Sequence, residues 1–200
     1  MLARLVRRGQ RSSAGGYTAV ELVMAIGIFA IGVTGVFAMQ RVTSGANAHA
    51  KNVAIATFAA ESWLERLAVD ATIWTQKDLL ASGKTTWLDL LATADTTEWI
   101  LPAASGSFGP GFDPLGAYAA NTSASFCTHL RLTRLLPEPN GLIRAEVRVF
   151  WPKPGPRWTG ATSYCPATAS ADDVAAIGSA TDYFHFVYKA TVVRQMGGLQ

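Results

Sequence analysis

The sequence predicts an α+β fold in which one long N-terminal helix packs on a C-terminal antiparallel β-sheet. Three observations carry this. The run from Leu22 to Met39 contains no charged residue, the Ala-rich stretch to Asp70 repeats apolar residues every three or four positions, and the second half alternates apolar and polar residues in three stretches.

At about 1.5 Å rise per residue the Leu22–Met39 run measures roughly 27 Å, and Tyr17 to Val20 extend it toward the ~30 Å of bilayer hydrocarbon. It is therefore read as one membrane pass. Arg4, Arg7, Arg8 and Arg11 precede it with no acidic residue, which keeps the N-terminus on the cytoplasmic side and places everything after Met39 outside. Glu21 interrupts the start of the run. An ionised side chain near the centre of a membrane helix costs roughly 2.5 to 3.5 kcal/mol on insertion scales, so Glu21 either lies hydrated among headgroups or has a partner. Gly27, Gly32 and Gly35 each weaken an isolated helix by about 1 kcal/mol. They indicate ordinary small-residue packing, close helix contacts or a segment able to extend.

From Gln40 to Asp70 no proline or strong turn signal intervenes, so the helix is expected to continue out of the membrane. Val42, Ala46, Val53, Ala56 or Ala60, Trp63 and Leu67 form its apolar stripe, while Glu61, Glu65 and Arg66 mark a solvated face.

Residues 72–114 read as a connecting region over the sheet, with Trp74, Trp87 and Trp99 among short helical patterns and Gly109-Pro110-Gly111-Phe112-Asp113-Pro114 as a turn. Ser82-Gly83-Lys84-Thr85 is like the end of a phosphate-binding loop, but Asp78 stands where the first glycine belongs, and it is read as a plain loop. Three strands follow. Phe126, Thr128, Leu130 and Leu132 alternate with Cys127, His129, Arg131 and Thr133. Ile143, Ala145, Val147 and Val149 alternate with Arg144, Glu146 and Arg148, and Pro139-Asn140-Gly141 between them predicts a hairpin. The third strand runs near Phe184, Phe186, Tyr188, Ala190 and Val192. Between the second and third, Trp151-Pro152-Lys153-Pro154-Gly155-Pro156-Arg157-Trp158 and Tyr164-Cys165-Pro166 make an irregular segment with exposed-looking aromatics, either a contact surface or a cover for the sheet edge.

The stretch Gly16-Tyr17-Thr18-Ala19-Val20-Glu21-Leu22, after a basic leader and before an apolar helix, resembles the prepilin signature of type IV pilins and type II secretion pseudopilins. Tyr17 stands where Phe is more usual and Ala19 where Leu is common. The resemblance implies a type IV pilin-like fold, with residues 1–16 a leader peptide, 17–40 the transmembrane and assembly half of the helix, 41–70 its amphipathic half, and 71–200 a globular head. It implies cleavage between Gly16 and Tyr17 by a prepilin peptidase and N-methylation of Tyr17. Glu21 becomes an assembly residue, partnered by the amine of Tyr17 on an adjacent subunit. The implied partners are other pilins and minor pilins, the peptidase/N-methyltransferase, the inner-membrane assembly platform, and lipid before assembly. A weaker resemblance, to minor pilins of the PilV type, rests on Ile28 to Gly35, Met39-Gln40, and Glu61 with Leu64-Glu65-Arg66-Leu67. The destination is a cell-surface pilus, or a periplasmic pseudopilus, reached from the bacterial inner membrane.

Cys127 and Cys165, the two cysteines, both fall on the outer side, where disulfides persist. A pair closing a loop of about 40 residues would stabilise by about 3 to 4 kcal/mol. Free thiols or a metal site have no supporting His or Cys spacing.

Removing the four leader arginines from the 17 Lys and Arg leaves 13 against 14 acidic residues, a net charge of −1 for residues 17–200. That charge gives no footprint for nucleic acid. His49, His129 and His185 are scattered, and neither a Gly-x-Ser-x-Gly elbow nor a His-Glu-x-x-His helix occurs, so no enzyme, metal or cofactor is expected. A cleavable secretory signal would use Ala46-Asn47-Ala48 or Ala48-His49-Ala50, but the apolar run exceeds the 7 to 15 residues of such signals and ends before those sites. An anchored binding protein that keeps its leader is the reading outside the filament class.

Overall fold

A computed structural model describes residues 16–74, 86–88, 98–106, 108–120, 123–136, 142–155, 157–160 and 163–194. The chain divides into two compact units, one ending at Ala48 and one beginning at His49. Helix α1 spans Ala19–Trp74, ending beyond the expected Asp70. In the first unit its apolar side chains are exposed, apart from the half-buried Val33, and Val42 and Ala46 are among them, so the buried stripe does not begin at Val42 as expected. It begins near Val53 and continues through Ala56, Ala59, Ala60, Trp63, Leu67 and Ala71. The reason is that Val42 and Ala46 have no sheet within their own unit to cover.

The second unit holds a four-stranded antiparallel sheet in the order β1-β2-β3-β4, with β1 Gly111–Phe112, β2 Phe126–Leu136, β3 Leu142–Pro152 and β4 Phe184–Arg194. The three long strands are the predicted ones, and β2 and β3 pair in the antiparallel sense that a hairpin demands. Its Pro139-Asn140-Gly141 turn lies outside the described residues, as does Ser82–Thr85. β1 departs from the sequence expectation, which makes Gly111 and Phe112 part of a turn. The turn itself falls one step later, where Asp113 Oδ1 accepts the N–H groups of Leu115 and Ala117 and Gly116 takes φ +84°.

Strand alternation gives the sheet two working faces. Leu130, Leu132, Ile143, Ala145, Val147 and Val149 face residues Ala56 to Ala71 of α1, and Trp63 closes that core with Trp87 and Phe108 at ring distances of 5.4 and 4.7 Å. On the opposite face, Cys127, Phe150 and Phe184 meet Cys165 and Ile177 in a second core. Ile177 comes from a helix absent from the sequence reading, α2 (Ala171–Ser179), which begins with a Ser170/Asp173 capping box and buries Val174 and Ile177.

Candidate functional site

Residues 16–18 are not helical, and α1 begins at Ala19. Gly16 and Tyr17 are exposed, Tyr17 at 88%. The peptide bond between them thus lies in exposed, non-helical backbone directly ahead of the helix.

Thr18 and Glu21 close a second capping box. The Thr18 N–H and hydroxyl both donate to Glu21 Oε2, at 2.9 and 3.0 Å, and the Glu21 N–H donates to Thr18 Oγ1 at 3.3 Å. The box satisfies helix-start donors and places a carboxylate at the positive end of the helix. Glu21 therefore has a partner inside its own chain, where the sequence reading offered only headgroup water or another subunit. The Ser/Thr-x-x-Glu spacing ahead of an apolar run was the signal that could have found it. Oε1 accepts nothing from the described residues, so the carboxylate keeps capacity for one more donor.

Beyond the box, the most apolar window of α1 is 0% buried, and the helix is long and apolar enough to cross a membrane. A side chain added at Gly27, Gly32 or Gly35 would meet nothing within 4 Å. Those glycines meet no neighbour among the described residues.

Other residues named from the sequence are dispersed. Cys127 and Cys165 lie at disulfide-bonding distance with Cα atoms 5.5 Å apart, joining β2 to the segment before α2. His129 lies fully buried on the second core's side, where Arg148 Nη2 donates to its Nδ1 at 2.6 Å. His185 instead approaches His49 and Trp151, with ring centres 4.7 and 5.2 Å away. Among the described residues no group of three or more His, Cys, Asp or Glu is placed to hold a metal.

The aromatics between β3 and β4 are less exposed than their setting suggested. Trp151 is a buried strand residue, while Trp158 and Tyr164 are half-buried and pack on Phe184. Tyr164 is held over the sheet beside Cys165, which the disulfide joins to Cys127 of β2. Comparison with protein-family models, with curated proteins and with solved structures returns no match for this chain.

Proposed function

We propose that the chain is the precursor of a non-enzymatic filament subunit of the type IV pilin class, best read as a minor pilin. The observation that carries the reading is the joint at Gly16-Tyr17-Thr18, exposed and non-helical, which leads through the Glu21 cap into a helix whose most apolar window is exposed among the described residues. Such a helix needs lipid first and other apolar helices afterwards. On this reading a prepilin peptidase cuts after Gly16 in the inner membrane, Tyr17 is methylated, and the helix passes from bilayer to filament. The open Oε1 of Glu21 then receives the amine of a neighbouring Tyr17, an attraction strengthened by the low dielectric.

Intact mass and N-terminal sequence of the protein from native membranes test the processing. A start at N-methylated Tyr17 is expected, whereas a start near His49 or Lys51 indicates an exported soluble domain. A start at Met1 indicates an ordinary anchored protein, and either of these sinks the proposal. Glu21→Gln tests assembly separately, because the amide oxygen still accepts from Thr18 but the charge is gone. We expect normal membrane levels with filament incorporation abolished. Incorporation at the parent level would reduce Glu21 to a helix cap.

A further inference from the structure

Where β3 ends, the second unit carries a half-open pocket of about 280 Å³ that the filament reading does not use. Its walls are Trp158, Tyr164, Tyr183 and Phe184, with Lys153, Arg157 and the hydroxyl-bearing Ser163 also lining it. No carboxylate is among the lining residues described, so two cations act on the space without a lining counter-charge. We propose that this is a binding site for an anionic sugar, a single pyranose ring bearing a carboxylate, such as one hexuronate unit of a surface polysaccharide.

Each part of the ligand follows from a part of the pocket. The volume is at the small end for ligand sites, enough for one ring. Aromatic walls suit the apolar C–H face of a pyranose while leaving polar rims for its hydroxyls. Arg157 offers a planar fork for a carboxylate. Lys153 Nζ donates one proton to Thr181 O at 2.7 Å, and an ammonium carries three, so it retains donors for an anion. The buried indole Nε1 of Trp158 has no acceptor among the described residues.

The walls are held in place before any ligand arrives. The Lys153 N–H donates to Tyr183 O at 2.8 Å, the Tyr164 hydroxyl donates to Ala124 O, and the disulfide fixes Cys165 beside Tyr164. Gly160 is required for the Trp158 wall, since a Cβ there would lie 2.3 Å from the indole ring. A site fixed in this way does not have to order loops on binding, which favours affinity. The inference does not depend on the filament assignment and would hold equally for an anchored binding protein.

The test is calorimetric titration of the full chain in detergent micelles with three probes, a glucuronate-terminated disaccharide, its neutral glucose counterpart, and benzoate. Saturable binding of the acidic disaccharide is expected, with the neutral one weaker by about tenfold or more, as loss of a charge-assisted pair implies. Arg157→Gln, at an exposed position, should lower affinity by a similar factor, and Gly160→Val should abolish binding by displacing Trp158. Absence of saturable binding overturns the site. Equal binding of the neutral disaccharide overturns the role of the cations, and benzoate binding as well as the acidic sugar overturns the assignment to a carbohydrate.

Discussion

Asp70 is a carboxylate in surroundings that ordinarily exclude one. It is 3% exposed near the end of α1 and accepts the backbone N–H groups of Thr86, Trp87 and Leu88 at 2.7, 2.9 and 2.8 Å. It therefore anchors the return segment that brings Trp87 against Trp63. Asp70→Ala would strand three donors at a partly buried site, for a loss of roughly 3 kcal/mol or more, read as a lower urea midpoint. His129 is the second buried group with a consequence. A guanidinium offers no acceptor, so the contact with Arg148 requires a neutral ring with its proton on Nε2. Burial first, and the charge of Arg148 second, push the His129 pKa down to about 3. Between pH 6.5 and 3 the unfolded chain then binds a proton that the folded chain refuses. Stability should fall on acidification across that window, by up to about 1.4 kcal/mol per pH unit. His185, lowered by burial and by His49 and Lys153, acts in the same direction. Glu146, whose pKa is lowered chiefly by its bond from Arg131, loses its contribution only further into acid. His129→Gln keeps an acceptor for Arg148 and removes the titration, so its stability should vary less between pH 6.5 and 5 in chemical denaturation.

Among the elements, legibility followed period and length. β2, β3 and β4 each hold eleven residues with a clean alternation, and the helix has an unbroken apolar pattern, so all four were visible. β1 has two residues, too few for any period, and its glycine argues for a turn. α2 is short, and its only mark is the Ser170-to-Asp173 spacing of a capping box. The Thr18–Glu21 box went unseen for a related reason, because a charge in a membrane run invites a long-range partner before a local one. The stripe of α1 was legible in kind and misplaced in extent, since periodicity shows which face is apolar but not where the sheet begins to cover it. Trp63 lies within the covered part, and Trp63→Ala should cost about 3 to 5 kcal/mol. Calorimetric or denaturant unfolding checks it. Opening the Cys127–Cys165 link should cost about 3 to 4 kcal/mol, measured by comparing unfolding with and without reductant.

At the scale of the molecule, apolar surface and folded core are divided between two units. The first carries the long run of exposed apolar residues from Val20 to Val42, with Phe58 and Val69 exposed further along α1, and the second carries both hydrophobic cores. The full chain should stay with membranes through alkaline carbonate washing, whereas a His49–Gln200 fragment should be soluble and monomeric by gel filtration. The charge of the second unit is patterned rather than pooled. Glu146 binds both Arg131 and Arg144 at 2.6 and 2.8 Å, Glu61 meets Lys189 at 3.2 Å, and Arg148 lies under Trp99. The link between Cys127 and Cys165 also carries a timetable. It holds the strand side of the sheet to the very stretch that supplies Ser163 and Tyr164 to the aromatic pocket. A thiol-reducing cytoplasm would remove that covalent tether and leave the Tyr164 hydroxyl bond to Ala124 O to hold the wall. If the head is exported and the pocket binds an anionic sugar, both as proposed above, the covalent closure of that wall comes only outside the cytoplasm, and the site is completed away from any sugar precursor in the cell interior.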